Sequence, residues 1–152
     1  MAEVSIDVNA PAPRVYELVS DLPRMGEWSP ECVRCTWKRG ATEAAPGARF
    51  RGHNRIGWRR WWTDGTVVAA EPGRTLSFDI ASMGLPVARW TYEIESTGPS
   101  SCRVTERWDD RRGRLISLLG TAATGVSDRE GHNTDGMRQT LERIKAEAES
   151  AA

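Results

Sequence analysis

The hydrophobic pattern of the chain changes its period near the C-terminus, and this change constrains the fold more than any other feature. Over most of the length, apolar and polar residues alternate in short segments bounded by turn residues, which is typical of strands with one buried face. The segment "TLSFDIA" is the clearest, because Leu76, Phe78 and Ile80 alternate with polar residues. We predict seven such strands, joined mainly by hairpins, in one antiparallel sheet.

A helical period replaces this alternation in the last segment. Its apolar residues fall at i, i+4, i+7 and i+11, and they are Met137, Leu141, Ile144 and Ala148. We therefore predict a long helix over Ser127–Glu149 that covers the apolar face of the sheet, with Ser127 and Glu130 as a capping box. Two short helices are expected after the first strand, in "NAPAPRVYELVSDL" and "PRMGEWSPE".

The expected class is therefore α+β, and 152 residues suit one domain, 1–152, with a full core. The segment Arg111–Val126 is predicted to be irregular or weakly helical. Its apolar stretch "RGRLISLLG" could form a flap over the start of the long helix, could gate a pocket there, or could rest on a membrane.

The Trp/Arg-rich run "HNRIGWRRWWTDG" is divided by strand geometry between two faces. If Pro72-Gly73 is a hairpin tip, Val67 lies opposite Phe78. If Arg55-Ile56 is the preceding tip, Phe50 lies opposite Trp61. Because opposed residues share a face, both hairpins turn Trp61 inward, against Phe50 and Phe78. Trp58 and Trp62 then point outward, onto an edge or a second copy of the chain, and a homodimer is one expected assembly.

The same alternation of faces in the other strands, together with the helical stripe at the start of the long helix, predicts the lining of a concave pocket. The residues assigned to it are Phe50, Asn54, Arg59, Trp61, Thr63, Phe78, Trp90, Tyr92, Trp108, Glu130, Asn133 and Met137. Three tryptophans and a tyrosine on one face suit a ligand cavity better than a dry core, because their N–H and O–H groups need partners.

Glu106 is the unusual member of this face, because a carboxylate seldom faces a core without a partner. It shares its face with Val104 and Trp108. Burial against aromatic rings raises the pKa of such a carboxyl, whereas a close Arg59 lowers it. We expect the raised pKa and predict Glu106 as the polar anchor of the pocket, with Asn133 and Asn54 as the next candidates.

The charge balance of the chain argues against a polyanionic partner. Lys and Arg number 21, as do Asp and Glu, and no nucleic-acid-binding motif appears. We predict no nucleic-acid partner, although the outer face of the Trp/Arg run leaves a stacking platform open as an alternative. The N-terminus lacks a basic region followed by an apolar run, and no stretch is long enough to span a bilayer. A cytoplasmic protein with three reduced cysteines is expected.

The motif "CVRC" has the spacing of a zinc or redox site. Cys32 and Cys35 should point to opposite faces of a strand, and His53 and His132 lack the paired spacing of zinc ligands. We interpret the cysteines as ordinary strand residues and predict no metal or cofactor. His132 falls off the helical stripe and is expected in solvent, so Asn133 is the better pocket candidate.

The chain resembles the START-like helix-grip (SRPBCC) superfamily, and most closely its small bacterial polyketide cyclase/dehydratase-like members. The resemblance covers nearly the whole chain and is carried by the segments "VYELVSDLPRMGEWSPEC", "GARFRGHNRIGWRRW", "EPGRTLSF", "RWTYEIE", "CRVTERWDD" and "TGVSDREGHNTDGMRQTLERIKA". It implies a seven-stranded antiparallel sheet gripping the long helix around an apolar ligand cavity. It implies no particular reaction, because the superfamily includes carriers, enzymes, sensors and protein-binding modules.

Three functions are compatible with these observations. The first is binding or carriage of a small, largely apolar molecule, such as a lipid, polyketide or aromatic metabolite. The second is a cyclase/dehydratase-type enzyme without metal, in which Glu106 is the acid/base and Arg59, Asn54 or Tyr92 polarises a carbonyl. The third is a protein-interaction module that uses the outer Trp58/Trp62 face.

Overall fold

The computed structural model describes residues 1–150 and contains one antiparallel sheet of seven strands. The strands follow the spatial order β1-β7-β6-β5-β4-β3-β2, so six are joined as a meander and β1 closes beside β7. Their bounds are β1 Ala2–Val8, β2 Cys32–Lys38, β3 Arg49–Ile56, β4 Arg59–Glu71, β5 Thr75–Ser82, β6 Leu85–Gly98 and β7 Ser101–Asp110. The predicted α+β class and antiparallel meander are confirmed.

Within residues 1–150, four helices accompany the sheet, and their bounds are α1 Ala12–Ser20, α2 Met25–Trp28, α3 Arg114–Thr124 and α4 Arg129–Ser150. A single 3-10 turn, Leu22–Arg24, joins α1 to α2. The long C-terminal helix packs on the sheet through the predicted stripe. Met137 lies in a cluster with Trp108, while Leu141 and Ile144 join the main core. The arrangement is a helix-grip fold.

The start of α4 differs from the expected capping box. The side-chain Oδ1 of Asp128 accepts a hydrogen bond from the Gly131 N–H at 3.0 Å, and the His132 N–H bonds to the Asp128 carbonyl. Asp128 is therefore the N-cap, and the assignment of Ser127 with Glu130 was wrong. Both an aspartate and a serine suit this position, so the sequence alone left the cap ambiguous by one residue.

The segment expected to be irregular contains an ordered helix, α3. It ends where Gly125 adopts a left-handed conformation (φ 76°) and its N–H bonds to the Thr121 carbonyl. A glycine in this conformation is a common helix terminator, because it carries no Cβ.

Two hairpins place their tips differently from the prediction, yet the faces are preserved. Strand β3 pairs with β4 so that Ile56 lies opposite Arg59 and Phe50 opposite Gly65, rather than opposite Trp61. The expected tip at Arg55-Ile56 was therefore wrong, and the partner of each β3 residue lies four residues further along β4 than predicted. Because side chains alternate between the two faces, a shift by an even number of residues leaves each side chain on its predicted face.

The hairpin between β4 and β5 contains a bulge. Glu71 pairs with Thr75 rather than Arg74, and the register slips between Val67 and Ala69. Beyond the bulge, Val67 lies opposite Phe78, as predicted.

Candidate ligand cavity

A cavity of about 300 Å³ lies between the inner face of the sheet and helices α3 and α4. Its walls combine buried residues with residues that are open to solvent. Tyr92 and Glu106 are 2% and 3% exposed, whereas Met83 and Leu119 are exposed and line the same space. The cavity therefore runs from the protein interior to the surface.

Most of the predicted pocket residues line this cavity. The structure places there Phe50, Asn54, Trp61, Thr63, Phe78, Trp90, Tyr92, Glu106, Trp108, Asn133 and Met137. The aromatic part follows cross-strand pairing, because Trp90 lies opposite both Phe78 on β5 and Trp108 on β7. One row of rings thus crosses three strands.

Glu106 and Tyr92 form the buried polar part of the wall. They are directly opposed on β7 and β6, and the Tyr92 hydroxyl donates to Glu106 Oε1 at 2.8 Å. The other oxygen, Glu106 Oε2, is buried and has no hydrogen-bond partner among the described residues. Burial raises the pKa of Glu106 to about 8, while the hydrogen bond from Tyr92 opposes this rise. Burial also raises the pKa of Tyr92 well above its ordinary value.

A carboxyl with this pKa is largely protonated at neutral pH and can donate a hydrogen bond. Glu106 Oε2 is the atom free to carry the proton toward the cavity, because Oε1 already accepts from Tyr92. The expectation of a raised pKa, rather than an ion pair with Arg59, agrees with this geometry.

Arg59 and Glu130 do not line the cavity, which corrects their placement. The Arg59 guanidinium donates to the Ala122 carbonyl at the end of α3 and stacks on Trp58, 4.8 Å from the ring centroid. It lies at the outer end of the hairpin, where α3 provides a closer acceptor than the buried wall. Glu130 is 61% exposed and pairs with the N-terminal amine of Met1 at 3.2 Å.

The predicted pairing of Phe50 opposite Trp61 is wrong, because the register places Gly65 opposite Phe50. Phe50 packs edge-on against Phe78, with ring centroids 5.3 Å apart, and lies over Gly65. Trp61 is opposite Asn54, four residues further along β3, and is half-buried. Trp62 is 61% exposed, so the predicted order of exposure for the two tryptophans is correct.

Helix α3 contributes a part of the wall that the sequence did not predict. The contributing residues are Ile116, Leu119, Gly120, Ala123 and Thr124. Ile116, Leu119, Gly120 and Ala123 fall at i, i+3, i+4 and i+7, which is a helical stripe. The signal was obscured because Leu115 and Leu118, which lie outside this stripe, are also apolar and are 63% and 71% exposed.

The "CVRC" motif was also placed wrongly. A bulge shifts the pairing of β2 with β3, so Cys32 lies opposite Asn54 and Cys35 opposite Gly52. Both thiols therefore face the cavity, with their sulfurs 3.3 Å apart. A bulge adds one residue to a strand, which reverses the parity on which the prediction of opposite faces depended.

An ion pair lies at the start of α4, with a histidine beside it. The guanidinium of Arg129 pairs with Glu31 at 2.6 Å, and His132 Nε2 lies 4.0 Å from the same carboxylate oxygen. His132 is 37% exposed and contributes to the cavity wall, rather than standing free in solvent as expected. The buried Asn133 and Met137 follow it along the helix.

None of the described helices is long and apolar enough to cross a membrane. None of the curated proteins compared with the chain matches it. Among solved structures, a polyketide-cyclase-like protein from Corynebacterium glutamicum is 31% identical, covering 94% of this chain and 87% of its own, with a TM-score of 0.63.

Two more distant structures show the fold alone. A START superfamily protein from Mycobacterium smegmatis is 15% identical, covering 99% of this chain and 98% of its own, with a TM-score of 0.70. The di-domain ARO/CYC StfQ from the steffimycin biosynthetic pathway is 15% identical with a TM-score of 0.72, and the match covers 98% of this chain but half of StfQ. Residues 2–149 match the family described as "Polyketide cyclase / dehydrase and lipid transport", and the chain belongs to that family.

Proposed function

We propose that the protein binds a compact, largely apolar molecule that carries a carbonyl or hydroxyl oxygen, and that Glu106 anchors this oxygen. The observation that supports this most is the unpartnered Oε2 of a fully buried carboxyl in the wall of a cavity. A buried polar atom without a partner costs roughly 1–3 kcal/mol, and a ligand oxygen that accepts its hydrogen bond removes that cost.

The size and lining of the cavity support the class of ligand. A volume of about 300 Å³ lies at the lower end of the roughly 300–1,000 Å³ typical of small-molecule pockets. It suits a small ring system better than a two-chain lipid. The aromatic row of Phe78, Trp90 and Trp108 offers ring faces and edges to such a molecule.

Binding is tested by titrating the protein with hydroxynaphthoquinones and flat phenolic ketones while tryptophan fluorescence is recorded. Glu106→Gln keeps an N–H donor, so binding should weaken less than tenfold. Glu106→Met, which is close in size, removes the donor and should weaken binding at least tenfold. Equal affinity in wild type and Glu106→Met would show that Glu106 is not the anchor. Native mass spectrometry of the purified protein would identify a co-purified ligand.

A second candidate function is catalysis of a cyclisation or dehydration, and the pair Glu106–Tyr92 is the observation that favours it. A carboxyl whose pKa is raised to about 8 can donate a proton near neutral pH and take one back. In the dehydration of a β-hydroxy ketone, Glu106 would protonate the departing hydroxyl, which leaves as water. The Glu106 carboxylate would then take the Cα proton as the carbon–carbon double bond forms, while Tyr92 holds the carboxyl in place.

Turnover of a poly-β-keto mimic separates the two candidates. Since Glu106→Gln retains a donor but cannot transfer a proton, it should bind the mimic and fail to convert it if the protein is an enzyme. Binding by wild type without any conversion supports the carrier.

A further inference from the structure

The two cysteines of β2 are brought together by the bulge described above. Cys32 is half-buried and Cys35 is 5% exposed, so one sulfur is more accessible than the other. Their sulfurs are 3.3 Å apart, which is closer than ordinary van der Waals contact, and a disulfide bond is about 2.05 Å long. Closure of a bond therefore needs an approach of little more than 1 Å between the sulfurs.

The surroundings of the pair leave space for this movement. The opposite residue on β3 is Gly52, and a Cβ built on it would lie 3.7 Å from Cys32 Sγ and 3.9 Å from Cys35 Sγ. A larger side chain there would fill the space beside both sulfurs. The bulge lies on β2, an edge strand of the sheet, and its residue Val33 is 51% exposed. An edge strand pairs with one strand only, here β3, and the Val33 carbonyl of the bulge rests against Gly26 of α2, so the space for the movement is that beside Gly52.

We infer that Cys32 and Cys35 form a redox-active dithiol in the cavity wall, which is oxidised to a disulfide by a low-molecular-weight disulfide. Cys32 is the attacking residue and Cys35 the resolving one. This inference goes beyond the proposed function and does not depend on it, because no ligand takes part in the exchange.

The reaction proceeds by two thiol–disulfide exchanges. The Cys32 thiolate attacks one sulfur of the small disulfide, forms a mixed disulfide and expels the first small thiolate, which takes a proton from water. Cys35 then loses its proton, its sulfur attacks Cys32 Sγ, and the second small thiolate leaves. The protein loses two protons and two electrons, and the small disulfide takes them up and is reduced to two thiols.

The hydrogen bond between the sulfurs supports this order of attack. It lowers the pKa of the Cys32 thiol and raises the pKa of Cys35, so Cys32 is the first to become a thiolate. Both thiols line the same cavity as Tyr92 and Glu106. Negative charge on either thiol also raises the pKa of Tyr92. Oxidation therefore changes the wall on which a ligand would rest.

The sequence provides a direct assay, because trypsin cleaves after Arg34, between the two cysteines. A Cys32–Cys35 disulfide then links peptide Met25–Arg34 to peptide Cys35–Lys38. The full-length reduced protein is incubated natively in buffers of defined glutathione to glutathione-disulfide ratio, quenched with acid, alkylated and digested. Mass spectrometry should show the linked pair increasing with the oxidised fraction, while Cys102, which is buried and distant in sequence, is recovered alkylated.

Variants assign the two roles. Cys35→Ser should stop at the glutathione adduct on Cys32, Cys32→Ser should react at least tenfold more slowly, and Cys102→Ser should form the linked pair as wild type does. The inference is overturned if native wild-type protein keeps both cysteines reduced at every ratio. It is also overturned if the linked pair forms only in urea, or if Cys102 is joined as readily as Cys35. These outcomes rest on wild-type protein and stand even where a variant folds poorly.

Discussion

The phenol of Tyr92 donates to one oxygen of Glu106 at 2.8 Å, while no described group reaches the other oxygen. The two residues are directly opposed on neighbouring strands, so the bond is fixed by the register of β6 and β7. The carboxyl is therefore held in one orientation, and its other oxygen, Oε2, is left without a hydrogen-bond partner among the described residues. This half-satisfied pair makes the electrostatics of the cavity wall depend on pH.

The first prediction follows from the pKa of Glu106, which burial raises to about 8 from an ordinary value of 4.5. Between these values the unfolded chain releases the proton and the folded protein keeps it, so the stability of the fold decreases as pH rises through this window. Glu106→Gln removes the titrating group. Relative to this variant, wild type should lose roughly 2–4 kcal/mol of unfolding free energy between pH 5 and 8.5.

Urea denaturation at pH 5, 6.5 and 8.5 measures this difference. Glu95→Gln is the matched control, because Glu95 is an exposed carboxylate on β6, and it should keep the pH dependence of wild type. Parallel curves for wild type and Glu106→Gln would contradict the prediction.

The second prediction concerns the Tyr92 hydroxyl, which donates the hydrogen bond to Glu106. Tyr92→Phe removes the hydroxyl and leaves both oxygens of Glu106 without a protein partner. The fold should lose about 1–3 kcal/mol at pH 7. The pKa of Glu106 should rise further, because the hydrogen bond from Tyr92 lowers it in wild type. Carbon-13 NMR of labelled glutamate follows that pKa directly. Tyr16→Phe, a change at the other tyrosine of the chain, should leave the Glu106 titration where it is in wild type.

The faces of the central strands could be predicted from the sequence because a register error of an even number of residues does not move a side chain to the other face of a strand. The tip of the β3–β4 hairpin lies at Gly57-Trp58 rather than at Arg55-Ile56, an even displacement of the register that leaves every inward residue inward. In the next hairpin, the shifted pairing at Glu71 is reversed by the bulge near Val68. Glu106, Trp61 and the aromatic row were therefore assigned to the correct side of the sheet.

The prediction of faces failed in β2, where a bulge adds one extra residue to the strand. The bulge between Cys32 and Arg34 turned the two thiols to one face, and the segment Cys32–Cys35 itself contains no glycine or proline that would signal it. The contribution of α3 was missed for a different reason. Its inward stripe is adjacent to equally apolar outward residues, Leu115 and Leu118, so hydrophobicity alone did not distinguish the buried side of the helix.

The third prediction separates the inner and outer tryptophans. Trp61 lines the cavity, whereas Trp58 is 82% exposed and stacks with Arg59 on the surface. Binding of a neutral apolar probe, N-phenyl-1-naphthylamine, should weaken about tenfold in Trp61→Ala, equivalent to about 1.4 kcal/mol. Trp58→Ala should bind as wild type does. Equal loss in both variants would place the probe on the surface rather than in the cavity.

The fourth prediction compares two glycines. A Cβ on Gly65 would lie 2.2 Å from the ring of Phe50, which is itself packed edge-on against Phe78 and Trp37. Gly65→Ala should therefore destabilise the fold by about 1–3 kcal/mol, since the ring has little room to move. Gly120 lies within α3 and a Cβ there meets nothing within 4 Å.

Gly120→Ala should stabilise the fold by about 0.5–1 kcal/mol, because alanine is the better helix former. Thermal denaturation of both variants tests the opposite signs. A stabilising Gly65→Ala would mean that Phe50 is free to leave its place over β4.

The last prediction tests the cap of α4, which positions the cavity residues Asn133 and Met137. Asp128 Oδ1 accepts from the Gly131 N–H at 3.0 Å, and the Asp128 carbonyl accepts from the His132 N–H at 3.1 Å. Its carboxylate also lies at the positive end of the helix dipole. Asp128→Ala should cost about 1 kcal/mol of unfolding free energy, within a range of roughly 0.5–2.

Hydrogen exchange localises this effect. Amide protection should fall at Gly131 and His132 in Asp128→Ala, because their N–H groups lie in the first turn that the cap orders, and it should remain unchanged at Leu141 in the core. Ser127→Ala is the matched control, one residue away, and should change neither stability nor protection, because α4 begins after Asp128. If Ser127→Ala gave the larger loss, serine would be the cap in solution, and α4 would begin one residue earlier.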